Sequence, residues 1–374
     1  MALVCEDRGG LRKSCGNMAS EARDRLRCIE NFAGNAPTRA LLEGIAETGR
    51  IPQSILLCGP EGVGKATLAR RFAALLLGDA EKIEADDLSL PANRERLEER
   101  LALASDKRAD DPVFFASHPD FLTFPPEGPL RQISIQQMRL MKEHAQFNPL
   151  KGSRRVFLID EIDRANEQAA NSLLKILEEP PPFLLIIGTT TNPYELLPTI
   201  RSRSVLLFLN RLTDEEVRDV LRAKGVPPGE LDARARLSAG CPGRALTLDL
   251  DAYRMRADAM MTLLEAAANR KPFGEWLRVS EGSVSKKAER LEEYLEILIS
   301  LLQDLLHLRA NGPVLRHPEY RDSLAAMAST LELGWIVKAA AGASRIDRLL
   351  RRNIQKNVAL DDYLLELQTA LARA

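Results

Sequence analysis

The sequence predicts an α/β fold with a parallel sheet as far as Leu209, followed by a remainder that is helical alone. Short apolar runs typical of buried parallel strands alternate with amphipathic helices, and a glycine-rich turn follows the first run. A strand, a glycine loop and a helix in succession form the start of a βαβ unit. Repetition of this alternation indicates a layered fold built on a parallel sheet.

Each predicted strand is a short apolar run. The runs are Ser54–Cys58, Phe121–Phe124, Arg155–Ile159, Leu184–Ile187 and Val205–Leu209. The helices predicted among them cover residues 38–48, 65–77, 135 to about 147, and 164–178. The last of these helices is ended by Pro180, Pro181 and Pro182, because proline cannot continue a helix.

Residues 79–111 differ from the segments around them. They contain eleven acidic and six basic residues, which gives a net charge of −5. This composition predicts a surface insertion, with one solvent-exposed helix at residues 94–104.

After Leu209 the first helical signal is Thr213 with Glu216 three residues later, which is the pattern of a capping box. Further along the chain, six large side chains share one face at helical spacing: Leu291, Tyr294, Leu295, Leu298, Leu302 and Leu305. The face is either the core of a bundle or an exposed face for oligomer formation.

Composition excludes two classes of protein. Lysine and arginine number 52 against 53 aspartates and glutamates, so the net charge of −1 argues against a basic nucleic-acid coat protein. The longest apolar run, Phe72–Leu77, is far shorter than the roughly 20 residues that a membrane span needs.

The five cysteines are dispersed along the chain, and no two of them form a C-x-x-C pair. We therefore expect neither a zinc site nor a disulfide framework. Dispersed single cysteines indicate a reducing cytoplasm. Met18 is an alternative start.

The turn after the first strand fits the phosphate-loop pattern G-x-x-x-x-G-K. Such a loop directs backbone N–H groups at phosphate oxygens, and its lysine adds a positive charge. The nucleotide-binding candidates in it are Gly59, Gly62, Val63, Gly64, Lys65, Ala66 and Thr67. Ala66 stands where a serine or threonine hydroxyl would bind Mg²⁺, and Thr67 is one position too late. The loop therefore binds ATP, with Mg²⁺, or is an inherited loop that no longer does.

Two strand ends supply the other candidates. Val156–Ile159 leads into Asp160 and Glu161, a pattern in which the first acid holds Mg²⁺ and the second orients an attacking water. Thr191, in the polar run that follows Leu184–Ile187, is placed to sense the γ-phosphate, or the run makes only turn hydrogen bonds. Without a hydroxyl at Ala66, the pattern predicts weak or absent hydrolysis.

Two segments carry a resemblance to a known family. Residues 166–181 (NEQAANSLLKILEEPP) and 196–204 (LLPTIRSRS) closely resemble the clamp-loader subunits of the AAA+ class. Within this class the match is best to the delta-prime type of bacterial DNA polymerase III. The resemblance implies that Arg203 is an arginine finger inserted into the ATP site of a neighbouring subunit; the plain alternative is a surface ion pair.

The resemblance also implies an organisation and a set of partners. The expected parts are an N-terminal extension (1–29), an AAA+ P-loop domain (30–209), a small helical lid (210–255) and an all-α collar for oligomer formation (256–374). The expected partners are clamp-loader subunits of the tau/gamma and delta types in a hetero-oligomeric ring. Sliding clamp and primed DNA are reached through that complex, and no membrane is involved. A polymerase activity would belong to the holoenzyme.

Three differences between this sequence and the family's pattern bear on the subtype. No cysteine lies between Cys58 and Cys241, where many relatives carry a zinc module, so zinc is not expected. Gly243 stands where ATPase relatives have a sensor arginine, with Arg244 one place displaced, and Ala66 lacks the metal hydroxyl. The loss of the metal hydroxyl and of the sensor arginine, with the finger Arg203 retained, separates the delta-prime type from the ATP-hydrolysing tau/gamma motor, which is the main alternative. An AAA+ protein outside replication is a second.

Overall fold

The computed structural model describes residues 29, 31–284, 290–312, 315–350 and 355–372. The chain divides into two compact units, Met1–Leu246 and Thr247–Ala374. The expected N-terminal extension and the alternative start at Met18 lie outside the described residues, apart from Ile29. The finer division into P-loop domain, lid and collar remains a prediction.

A six-stranded sheet in the order β2-β3-β4-β5-β1-β6 forms the centre of the first unit. Its strands are β1 (Ser54–Cys58), β2 (Phe115–His118), β3 (Phe121–Phe124), β4 (Arg155–Ile159), β5 (Leu184–Thr190) and β6 (Val205–Phe208). All neighbouring strands are parallel except β2 and β3. The predicted α/β fold is confirmed, with a sheet that is mostly parallel.

The antiparallel edge strand β2 has no counterpart among the predicted strands. Its four residues include exposed positions in the middle and so form no apolar run. A turn fixes its pairing with β3: the Asp120 N–H donates to His118 Nδ1 at 3.1 Å. The Asp120 carboxylate accepts hydrogen bonds from the N–H groups of Leu150 and Lys151 at 2.7 and 2.8 Å. The contacts of Asp120 with Leu150 and Lys151 join residues 30 and 31 positions apart, which a local sequence pattern does not contain.

Helices cover both faces of the sheet. The longer ones are α1 (Ala36–Thr48), α2 (Lys65–Leu77), α6 (Ile135–Ala145) and α7 (Glu167–Glu178), and a short helix, α8 (Pro198–Arg201), precedes β6. Alternate residues of β1 pack on opposite faces of the sheet. Ile55 and Leu57 lie in the core beneath α2, whereas Leu56 and Cys58 lie in the core beneath α6 and α7. Helix α7 begins three residues later than predicted, because a 3₁₀ turn occupies Ile162–Arg164.

Residues 79–111 fold into three helices instead of the single predicted one. They are α3 (Ala80–Glu84), α4 (Pro91–Leu101) and α5 (Ser105–Asp110). Two buried arginines attach them to the sheet unit. Arg70 of α2 donates to Glu84 and Asp87 at 2.9 and 2.5 Å, and Arg100 of α4 donates to Glu127 at 2.7 Å.

Three short helices begin near the end of the first unit: α9 (Asp214–Ala223), α10 (Leu231–Leu237) and α11 (Pro242–Thr247). The capping box predicted at the start of α9 is confirmed. Thr213 Oγ1 accepts from the Glu216 N–H at 3.2 Å, and the Glu216 carboxylate accepts from the Thr213 N–H at 2.8 Å.

The second unit contains helices joined by turns and has no strand among its described residues. Its helices are α12 (Leu250–Ala267), α13 (Phe273–Val279), α14 (Leu291–Arg309), α15 (Arg321–Thr330), α16 (Leu333–Leu350) and α17 (Lys356–Ala372). The six-residue face predicted on α14 is buried, which supports the interpretation as bundle core. Within the described ranges no single helix could span a membrane; two helices bent by 119°, Pro318–Thr330 and Leu333–Leu349, have the required length and composition only as a pair.

Candidate functional site

The candidate site lies at the carboxyl ends of β1, β4 and β5, which are neighbours in the sheet. The phosphate loop connects β1 to α2. Gly62 of this loop has a φ of +77°, and a Cβ atom there would lie 2.7 Å from Arg244 Cγ and 2.8 Å from Arg244 N. Only glycine fits this position, because both the backbone conformation and the close neighbour exclude a side chain.

Lys65, the first residue of α2, is buried within the loop. Its Nζ donates to the carbonyl oxygens of Gly59 and Pro60 at 2.7 and 2.9 Å. Burial lowers the pKa of the Lys65 ammonium, and the carboxylates of Asp160 and Asp163 oppose this shift. The Lys65 ammonium therefore lies beside the loop backbone, and a phosphate loop uses such a positively charged lysine to bind phosphate.

Asp160 follows β4 and contacts the neighbouring strand β5. Thr189 Oγ1 donates to Asp160 Oδ1 at 2.6 Å and accepts from the Glu161 N–H at 2.9 Å. The parallel register that aligns Ile159 with Gly188 brings these residues together. Thr191, the predicted sensor, is exposed, and its hydroxyl lies 3.4 Å from Asp163 Oδ2. Of the threonines in this run, Thr189 is the one that contacts Asp160.

Glu161 is held by two arginines that the sequence did not connect with it. Its Oε1 accepts from Arg131 Nη2 at 2.7 Å, and its Oε2 accepts from Arg164 Nε at 3.1 Å. Burial raises the pKa of the Glu161 carboxyl, and the charge of Arg131 opposes that shift. Each oxygen of this carboxylate therefore already accepts from one arginine.

The remaining loop candidates lie where the motif places them. Ala66 is the second residue of α2 and offers no hydroxyl to a metal ion. Thr67 is partly buried, and its hydroxyl has no hydrogen bond among the described residues. The loop backbone and Lys65 thus fit the phosphates of a nucleotide, whereas Asp160 is the one ligand of the predicted set that fits Mg²⁺. Across the described part of the chain, no three His, Cys, Asp or Glu residues form a group that could hold a metal ion.

The start of α11 lies directly against the phosphate loop. The Gly243 N–H donates to Gly62 O at 2.8 Å. A Cβ atom at Gly243 would lie 2.9 Å from the same oxygen. Two glycines, 181 positions apart in the numbering of the chain, therefore allow the two backbones to touch.

Arg203 lies outside the loop, in the turn between α8 and β6. Two serine hydrogen bonds fix the turn: Ser204 Oγ donates to Ile200 O at 2.9 Å and lies 2.8 Å from Ser54 Oγ, at the start of β1. The Arg203 side chain is 37% exposed, and its guanidinium forms an ion pair with Glu178 at 3.3 Å. The surface ion pair that the sequence left as an alternative is therefore present, between two side chains that are both accessible.

The amino-acid sequence of the chain is similar to those of known proteins. Residues 105–213 match the family described as DNA polymerase III, delta subunit. The delta-prime subunit of DNA polymerase III from Escherichia coli is 32% identical over 192 residues, which are 51% of this chain and 55% of that protein. The chain is related to the clamp-loader-type subunits of DNA polymerase III. The resemblance inferred from the two sequence segments is confirmed.

The relatives do not resolve the subtype. The gamma subunit of DNA polymerase III from Buchnera aphidicola is 29% identical over 178 residues, 46% of this chain and 42% of that protein. The chain spans about half the length of the curated relatives that it matches. A gamma-subunit-related protein from Thermotoga maritima is similar in structure with a TM-score of 0.40 and 17% identity, over 88% of this chain and 98% of that one. A similarity this weak supports no statement about function.

Proposed function

We propose that this clamp-loader-type subunit is of the delta-prime type within a DNA polymerase III holoenzyme. In this role it assists the ATP-driven loading of a sliding clamp onto primed DNA. It contributes Arg203 as a finger to the ATP site of a neighbouring subunit and has weak or absent ATP turnover of its own.

The proposal depends on two positions that ATP hydrolysis at this chain's own loop would use, Ala66 and Glu161. Ala66 offers no metal-binding hydroxyl, and Glu161 is engaged by Arg131 and Arg164 on both carboxylate oxygens. Hydrolysis needs a bound metal ion and an oriented water. Arg203, by contrast, is accessible at the end of a fixed turn. This asymmetry supports a subunit that serves a neighbour's site and does not turn over its own nucleotide.

The same geometry supports a limited proposal for cofactors. When ATP is bound, Gly62, Gly64 and Lys65 would contact its phosphates and Asp160 the accompanying Mg²⁺. The chain would bind its nucleotide weakly, because the metal lacks the hydroxyl ligand. The proposed partners are tau/gamma-type and delta-type subunits in a ring, through which the chain reaches the clamp and DNA.

A motor subunit of the tau/gamma type is the second candidate. Gamma and tau subunits match this chain about as well as delta-prime does, at 28–30% against 30–32% identity. The intact Gly62, Gly64, Lys65 and Asp160 favour it. Ala66 and Gly243 favour the delta-prime type.

ATP hydrolysis by the isolated chain separates the two candidates. We expect no turnover above background with ATP and Mg²⁺, and the same result for Lys65→Ala. Magnesium-dependent turnover that Lys65→Ala abolishes would overturn the delta-prime proposal in favour of the motor.

A further inference from the structure

Glu178 is the partner of Arg203, and its position in its own helix is unfavourable. It is the last residue of α7, where the backbone carbonyl groups give the helix end a partial negative charge. A carboxylate at this end is disfavoured, so Glu178 does not stabilise α7 through the helix dipole. The favourable interaction that the structure gives it is the ion pair with Arg203 Nη2, at 3.3 Å.

Both sides of this pair are attached to the rigid part of the sheet unit. After Glu178, the chain is fixed by the hydrogen bond from Gln53 Nε2 to Pro180 O at 3.3 Å and by that from the Leu184 N–H to Pro181 O at 2.9 Å. On the other side, the contact between Ser54 and Ser204 fixes the turn that carries Arg203. The two side chains therefore meet from anchored backbones.

The guanidinium has two hydrogen-bond acceptors among the described residues. Nη1 donates to Thr199 O at 3.1 Å, and Nη2 donates to Glu178 Oε1 at 3.3 Å. A guanidinium has five N–H donors in a planar fork. The two contacts fix the plane of the fork and leave donors, on a side chain that is 37% exposed, for phosphate oxygens of another molecule.

We infer that Glu178 is a positioning residue for Arg203. Together with Thr199 O it orients the guanidinium before the neighbouring subunit presents its nucleotide. This inference rests on the proposed finger role of Arg203 and adds to it the residue that holds the finger. It also assigns a function to the acidic end of α7, whose sequence otherwise indicates only a helix stop.

A double-mutant cycle in the reconstituted clamp loader tests the inference. The complex is assembled from this chain and its cognate tau/gamma-type and delta-type subunits, and ATP turnover is measured per assembled complex. We expect Glu178→Ala to lower kcat by about 1.5- to 5-fold at the site that Arg203 serves, the range of an exposed ion pair, with KM for ATP unchanged. Glu178→Gln, which keeps an oxygen acceptor of the same length, is expected to lose less.

The decisive comparison is made in the Arg203→Ala background. There Glu178→Ala is expected to have no further effect, because the residue acts through the guanidinium. Glu179→Ala is the matched control: Glu179 is the adjacent exposed carboxylate, without an ion pair or side-chain hydrogen bond among the described residues, and its loss should leave kcat unchanged.

Each failure has a separate meaning. If Arg203→Ala leaves turnover unchanged, the proposed finger itself is wrong. If Arg203→Ala lowers turnover but Glu178→Ala does not, or lowers it equally with and without Arg203, the positioning role is wrong and the finger stands.

Discussion

Glu161 and Arg203 differ in the number of ion pairs that each forms. Both carboxylate oxygens of Glu161 are bound, at 2.7 and 3.1 Å, and its side chain is 22% exposed. Arg203 has one ion pair, at 3.3 Å, with a partner that is 53% exposed. An exposed pair of this kind contributes at most about 1 kcal/mol. The Glu161 carboxylate thus has two charged partners, whereas Arg203 is oriented by a single ion pair and Thr199 O and keeps N–H donors for a neighbouring subunit.

His118 gives a prediction at the scale of one side chain. Burial lowers the pKa of its imidazole, and the carboxylate of Asp120 opposes the shift. The unfolded chain therefore binds a proton at a higher pH than the folded one. The contribution of His118 to the free energy of unfolding is full above about pH 6.5 and is lost as the pH falls through the lower folded-state pKa.

Denaturant unfolding between pH 7 and pH 5 checks this sign. We expect the loss of stability on acidification to be smaller in His118→Asn, whose amide oxygen can still accept the hydrogen bond from the Asp120 N–H. Equal slopes for the wild type and the variant would show that His118 does not titrate as described.

How much of the site could be predicted depends on where each contact lies along the chain. Lys65 and Asp160 could be predicted, because each belongs to a contiguous motif that follows a strand. Thr189 could not be distinguished from Thr191, since the choice depends on the register between β4 and β5. Arg131, the partner of Glu161, lies 30 residues before it in a turn with no motif.

At the scale of elements, the contact between the phosphate loop and the start of α11 depends on two backbones that touch. Gly243→Ala would place a Cβ atom 2.9 Å from Gly62 O, and backbone on both sides leaves no flexible atom to yield. We expect a loss of about 1–3 kcal/mol, as for overpacking, and a lowered melting temperature.

Gly229→Ala provides the control for Gly243. A Cβ atom there would have nothing within 4 Å, and the φ of Gly229 is not positive. Thermal unfolding of both variants should therefore show a loss of stability for Gly243→Ala alone. Equal stability of the two variants would mean that the phosphate loop and the start of α11 do not pack as closely as described.

The helices of residues 79–111 give a second prediction at this scale. Arg100→Ala removes the partner of Glu127, whose side chain is 4% exposed. Breaking a buried pair leaves an uncompensated charge and typically costs about 3–5 kcal/mol. Arg94→Ala is the control, because Arg94 is 60% exposed and 3.8 Å from Glu98. A similar free energy of unfolding for the two variants would contradict the anchoring role of Arg100.

For the whole molecule, the composition of residues 79–111 predicts stability without a metal ion. Arg70 and Arg100 attach this segment through side-chain pairs, and the sequence between Cys58 and Cys241 contains no cysteine. The melting temperature of the purified chain should be the same with and without EDTA. A clear decrease with EDTA would reveal a structural metal ion, because removal of such an ion destabilises the fold.

The central claim is that this chain serves a neighbouring ATP site and not its own. ATP turnover by the reconstituted clamp loader, measured with Arg203→Ala and with Lys65→Ala, tests it most directly. We predict that Arg203→Ala reduces turnover at the neighbouring site by roughly 10³-fold or more, so that the complex loses that site's share of activity. Lys65→Ala should leave turnover unchanged. The reverse result, loss with Lys65→Ala and normal turnover with Arg203→Ala, would contradict the account.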